Sequence, residues 1–308
     1  MRKTCLDLIY KMAKTDDRIF FVGSDLGFET LKDFREEIPD RFIMEGVNEA
    51  HAIGMASGLA MEGKIVYVNT IATFLTRRCF EQVVLDLCMH NINVRLVGNG
   101  GGIVYAPLGS THLAFEDISI FRALPNMTIV APADADEMRR LMPLTVEYPG
   151  PIYIRLAKGY DPIVTNDETS FEIGRGILMR KGEDALVVTT GITLRLALEA
   201  AEILNEIGIE IAILHLPTIK PLDTKAVLDL AADVGIIVSI EEHTILGGLG
   251  SAIAETLSEA DLNAPKRFRR IGIPDAFPDE YGSQESLMAR YNITSGSIVT
   301  TVKELLEA

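Results

Sequence analysis

The chain has 308 residues, a length that suits two domains of ordinary size. Hydrophobic residues make up 48% and charged residues 24%, which excludes a disordered, collagen-like or low-complexity chain. A formal charge of −15 repels phosphate backbones and anionic lipid, so broad binding to nucleic acid or to a membrane surface is not expected, and an anionic substrate would need a local cluster of arginines.

Short β-branched runs alternate with longer helical patterns from end to end, the sequence form of an α/β protein whose largely parallel sheets are flanked by helices. Strands are expected at Ile19–Val22, Lys64–Val68, Val94–Val97, Thr128–Ala131 and Ile152–Arg155, and helices at Glu49–Met61, Thr73–His90, Phe115–Ala123 and Ala133–Val146. Asp161–Thr169, reading D-P-I-V-T-N-D-E-T, breaks the pattern and marks a linker over residues 161–175 between domains at 1–160 and 176–308. Beyond it, strands are expected at Ala185–Thr190, Glu210–His215, Gly235–Ile240 and Arg267–Gly272. Helices are expected at Leu194–Ile207, Thr224–Ala232, Gly250–Ser258 and Ile298–Leu306. Cys5, Cys79 and Cys88 form no C-x-x-C pair and the N-terminus has no signal-peptide run, which points to a reducing cytoplasm. No apolar run approaches the roughly 18 residues of a transmembrane helix.

Generic motifs carry little chemistry. Asn99-Gly100-Gly101-Gly102 follows a strand but lacks the Gly-Lys-Ser/Thr of a phosphate loop, and a loop needing positive φ explains it equally well. Gly248-Leu249-Gly250 lacks the third glycine of a dinucleotide fingerprint, so tight strand-to-helix packing is the better account. The five histidines are scattered and give no metal-ligand spacing, while Glu241-Glu242-His243 suggests a solvated loop or a structural contact. Glu49, the run Phe74 to Phe80 with Arg77-Arg78, and Thr111-His112 could share the carboxyl end of one sheet, where open α/β sheets bind ligands. Taken singly, Glu49 is an ordinary first-turn carboxylate and Arg77-Arg78 a solvated face.

Several segments together resemble the transketolase family. R-F-I-M-E-G-V-N-E-A-H-A-I-G-M-A-S-G-L-A, Arg41–Ala60, is similar to the block holding that family's activating glutamate and assigns the role to Glu49. T-F-L-T-R-R-C-F-E-Q-V, Thr73–Val83, resembles the helix whose aromatic residues hold the cofactor's aminopyrimidine. Ser110–Glu137 resembles the Thr-His loop, the E-D helix and the P-A-D strand end. K-P-L-D at Lys220–Asp223 and E-E-H-T-I-L-G-G-L-G-S-A at Glu241–Ala252 match the C-terminal domain. The G-D-G…Asn signature that binds the diphosphate and its cation is absent.

The resemblance is therefore to the C-terminal subunit of a split transketolase. It implies thiamine diphosphate as cofactor, with Mg2+ or Ca2+ held by an N-terminal partner subunit, and self-association of this chain into a dimer core; no metal site is expected in this chain. The implied reaction moves a two-carbon ketol unit from a ketose or ketose phosphate to an aldose. Glu49 and His112 would be catalytic, Glu49, Phe74, Arg77 and Phe80 would bind the cofactor, and Arg155, His112 and Asp25 the substrate, with Arg155 on its phosphate. Departures fall on substrate recognition: Pro107 or Leu108 replaces a family aspartate, Gly100-Gly101-Gly102 a basic residue, and Glu29 a small hydroxyl residue. Alternatives are chemistry like that of 1-deoxyxylulose-5-phosphate synthase, or of a 2-oxo acid dehydrogenase beta subunit, on pyruvate-like donors.

Overall fold

The computed structural model describes residues 1–24, 26, 29–157, 161–166, 170–262 and 264–307; Asp25 and part of the expected linker lie outside them. In the first half the order is α1 (Arg2–Thr15), β1 (Ile19–Gly23), α2 (Lys32–Glu37), β2 (Phe42–Met44), α3 (Glu49–Met61), β3 (Ile65–Ile71), α4 (Phe80–Gln82), β4 (Val94–Asn99), α5 (Asp117–Arg122), β5 (Thr128–Val130), α6 (Ala135–Glu147) and β6 (Ile152–Leu156). The second half follows with β7 (Ile177–Arg180), β8 (Ala185–Thr189), α7 (Thr193–Asn205), β9 (Ile211–His215), β10 (Thr218–Lys220), α8 (Thr224–Asp233), β11 (Ile236–Thr244), α9 (Leu249–Glu259), β12 (Arg267–Ile273), α10 (Gln284–Arg290) and α11 (Ser295–Glu307).

The first sheet runs β10-β5-β6-β4-β3-β1-β2 and the second β12-β11-β8-β9-β7, parallel except for the edge strands β10 and β7. Strands β4, β6, β8, β9 and β11 are buried along their whole length, because helices cover both faces of each sheet. Arg95, near the start of β4, is fully buried because its guanidinium donates to the carbonyls of Thr145, Tyr148 and Gly150 at 2.6–2.7 Å, which satisfies free acceptors at and just past the end of α6. At the other end of α6, the Asp134 carboxylate accepts from the N–H groups of Asp136 and Glu137 as N-cap, and from Val164 and Thr165 at 2.7 and 2.8 Å. The chain just after the first half is thus pinned rather than free.

The halves are joined through a buried, hydrogen-bonded seam. Thr218 and Lys220 of β10 pair with Val130 and Ile129, so the second half supplies an edge strand to the first sheet. The Ala131 N–H donates to the Pro217 carbonyl at 2.7 Å, and His215 Nε2 lies 3.2 Å from Glu137 Oε2 with both side chains fully buried. Strand β11 runs through Glu241-Glu242-His243 to Thr244, so these residues are seam and not a solvated loop. Glu241 accepts from the N–H groups of Leu249 and Gly250 at 2.7 and 2.8 Å, so the chain's own carboxylate occupies the N-terminus of α9. A Cβ on Gly248 would lie 2.1 Å from that carboxylate, which accounts for the glycines there by close packing.

Candidate active site

The carboxyl ends of β1, β3 and β4 meet at a polar floor: Ser24 donates to Thr70 Oγ1 at 2.8 Å, and Asn99 Nδ2 donates to Asn69 Oδ1 at 2.7 Å. Just past β3, the run Phe74–Arg78 winds as a π-helical turn, and Val83–Cys88 does so again after α4. Such widened turns are rare and re-aim side chains, often at functional positions. Here Phe74 and Arg78 lie on one side, with the Arg78 guanidinium 3.7 Å above the Phe74 ring centroid.

Glu49 is the first residue of α3, where the helix dipole favours a negative charge, but it is only 4% exposed. Its two carboxylate oxygens accept from Arg78 Nη1 at 3.3 and 3.4 Å. The His112 ring also meets Phe74, edge-on at 5.4 Å between centroids. Glu49, Arg78, Phe74 and His112 therefore form one contiguous line of contacts. A buried carboxyl can share a proton with a pyrimidine ring nitrogen, and the Phe74 face already takes one flat group, so these residues fit the aminopyrimidine half of thiamine diphosphate. Thr73 Oγ1, beside Phe74, and Asn99 Oδ1 are buried with no hydrogen-bond partner among the described residues, which leaves further polar capacity at this edge.

Arg77 points the other way, pairing with Glu116 and donating to the Leu113 carbonyl at 3.1 Å. Phe80 lies beyond the π-turn and is 37% exposed. Arg155 is 7% exposed and stands apart from the line: Nε donates to Asp117 Oδ2 at 2.8 Å and Nη2 to the Glu242 carbonyl at 2.8 Å. Those contacts commit it to the seam, so the phosphate role expected from the resemblance does not follow from its geometry. Asp117 is fully buried and also accepts from Tyr153 Oη at 2.7 Å.

Sequence reasoning put Arg78 in the candidate cluster but gave it no role, since taken singly it reads as a solvated residue until the π-turn folds it over Phe74. It missed Asp117 and Glu242, whose partners come from distant segments. The signal for these two acidic residues was a carboxylate set inside an apolar run.

Burial pushes the Glu242 carboxyl up to about 7, against the pull of Arg155 and of hydrogen bonds from Gln284 and Ile103. Between about 4.5 and 7 the folded state then holds a proton that the unfolded chain has released, so this group's stabilisation is complete at low pH and lost as pH rises through 7. The loss is on the order of 3 kcal/mol at a shift of this size. Urea unfolding at pH 5 and pH 8 should show the wild-type chain losing more stability across that range than Glu242→Gln; equal slopes would contradict it.

Residues 1–160 match the family model of the transketolase pyrimidine-binding domain, and residues 174–298 that of the transketolase C-terminal domain. The chain is 38% identical to the 6-deoxy-6-sulfo-D-fructose transketolase subunit SqwH of Clostridium sp. (strain MSTE9), over 100% of this chain and 94% of the relative. It is 37% identical to one subunit of the apulose-4-phosphate transketolase of Phocaeicola vulgatus, over 99% and 97% of the two chains. The 1-deoxy-D-xylulose-5-phosphate synthase of Heliobacterium modesticaldum is 35% identical, but the chain spans only 46% of that protein. A solved structure described as a split gene transketolase, inactive beta4 tetramer, superposes with a TM-score of 0.90 at 33% identity, covering 99% of this chain and 98% of that one. Domain content, full-length similarity and the line of contacts at Glu49 agree: the chain belongs to the transketolase family, as a split-transketolase subunit with the pyrimidine-binding and C-terminal domains.

Proposed function

We propose that this chain is the pyrimidine-binding half of a two-subunit ketol transferase whose thiamine diphosphate spans the two polypeptides. The observation that carries it is the buried Glu49 carboxylate facing the Arg78–Phe74 stack, with His112 against the same Phe74 ring. Glu49 holds and shares the proton of the pyrimidine nitrogen, and Phe74 supplies the flat wall against which the ring stacks. Arg78, 47% exposed, must turn aside to free that face, which its long stem allows. His112, with Nδ1 3.0 Å from Thr111 Oγ1, meets the substrate oxygens, and Arg77 and Phe80 line the rim. When bound, the cofactor supplies the nucleophilic carbon that carries the two-carbon unit from a ketose to an aldose. The diphosphate and its Mg2+ or Ca2+ fall to the N-terminal partner subunit.

Two relatives are named for sugars that end in an anionic group, a sulfonate and a phosphate. We assign this chain the same class of donor, an anionic ketose, taken up beside Arg78 and His112. Val47, Met61, Phe80, Leu85 and Met89 are exposed on or beside α3, α4 and the adjoining π-helical run, apolar surface on an acidic chain that suits self-association into a dimer core. All three cysteines are free and buried, and no helix among the described residues is long and apolar enough to cross a membrane, both compatible with the cytoplasm.

The test is reconstitution with a partner chain that carries the diphosphate domain, followed by product analysis with ketose phosphates, ketose sulfonates and pyruvate as donors. Ketol transfer that needs both chains is the expected result. Carbon dioxide released from pyruvate, without ketol transfer from any ketose, would overturn the assignment in favour of synthase- or dehydrogenase-type chemistry.

A further inference from the structure

The loop that presents His112 is closed at its neck. The Gly102 N–H donates to the Ala114 carbonyl at 3.0 Å and the Ala114 N–H donates back to Gly102 at 2.9 Å, so Ile103–Leu113 forms a ring of chain with fixed ends. Two short turns, Ala106–Leu108 and Ser110–His112, fold within it. Neither the neck nor the tip rests on the first half alone.

At the neck, Glu242 of β11 inserts its carboxylate and Oε1 accepts from the Ile103 N–H at 3.0 Å. Gly102 lets it in: φ is +72°, and a Cβ there would lie 2.5 Å from the Glu242 carboxyl carbon. The same oxygen accepts from Gln284 Nε2 at 2.8 Å, at the start of α10. At the tip, Ser110 Oγ donates to the Pro278 carbonyl, and the Tyr281 ring packs on Gly109, where a Cβ would come within 2.8 Å. Segment 278–284 therefore grips the tip directly and the neck through Gln284 and Glu242.

We propose that Glu242 is the positioning residue for His112, fixing from the second half the neck of the loop that carries it. This gives the C-terminal half a part in the reaction without any of its atoms touching substrate, and it rests on the assignment of His112 as the substrate contact. A buried carboxylate with two donors on one oxygen is a stiff anchor, and a shift of about 1 Å in a reacting group costs roughly 100-fold in rate.

Two readouts test it. In the isolated chain, Glu242→Ala should raise amide exchange at Gly102, Ile103 and Ala114 by more than about tenfold while β4 and β6 stay protected. In the reconstituted complex, Glu242→Ala should lower kcat/KM by about 100-fold, and Glu242→Gln, which keeps the accepting oxygen, by no more than about threefold. In a His112→Ala background, Glu242→Ala should cost no more than about threefold further, because both changes act through one group. Unchanged exchange overturns the proposal whatever the activity. So does raised exchange with normal kcat/KM, or an undiminished loss in the His112→Ala background. Should Glu242→Ala not fold, Ser110→Ala at the tip carries the same exchange measurement and the same cycle with His112→Ala. A wild-type complex that transfers no ketol unit would refute the function assigned above, and amide exchange would still decide whether Glu242 holds the loop.

Discussion

The complex carrying Glu49→Ala is expected to bind thiamine diphosphate and to lose turnover by roughly 10²–10⁴-fold, the range that a positioned acid–base group contributes. The reason lies in what surrounds the carboxylate. At 4% exposure it is nearly shut off from water, and Arg78 alone among the described side chains donates to it. Removing it leaves the Phe74 face intact, so stacking persists while proton sharing ends. Glu49→Gln should behave almost as badly, since an amide of the same shape accepts a hydrogen bond but cannot exchange a proton. Calorimetric titration with the cofactor separates binding from chemistry, and single-turnover ketol transfer measures the latter. Near-normal transfer by either variant would sink the assignment of Glu49.

Asp117→Ala should be the most destabilising single change at the seam, costing about 3–5 kcal/mol, because it strands a buried guanidinium. Arg155 would keep two backbone carbonyls as acceptors but lose its carboxylate contact, and Tyr153 Oη would lose its acceptor. Burial is the larger of the causes that hold the Tyr153 hydroxyl well above the usual phenol range, and it persists in the variant, so that hydroxyl does not ionise to compensate. Asp117→Asn should cost less, since the amide oxygen still accepts. Urea unfolding of the purified chain reads both values, and a loss under about 1 kcal/mol for Asp117→Ala would show that the pair contributes little beyond its desolvation cost.

Most of the strands are legible in the sequence because strands buried on both faces read as unbroken apolar runs, as in β8 and β9. Three of the edge strands are not: β2 and β10 have three residues each and β7 is only partly buried, so none of these carries a clear pattern, whereas the edge strand β12 does. Helix α1 is not among the expected elements, although Cys5, Leu6, Ile9 and Ala13 recur at helical spacing and mark its buried face. The run from Thr73 to His90 reads as helical, which it is in large part, but a 3.6-residue period cannot reveal the π-turns that fold Arg78 over Phe74. Glu49, Phe74 and His112 are reached through family resemblance, and they do come together. The anchors Asp117–Arg155 and Glu242–Ile103 join residues 38 and 139 positions apart, a separation that no local pattern encodes.

The strand that β10 lends to the first sheet limits how this polypeptide can be inherited. A gene cut midway would leave β5 with a bare outer rim of unpaired amides, ready to recruit whatever chain came near. Recombination that exchanges only one half between paralogues would have to preserve T-I-K and its register against Ile129 and Val130. The two domains should therefore travel through evolution together, and chimaeras joined between them should aggregate more readily than those that swap the whole chain.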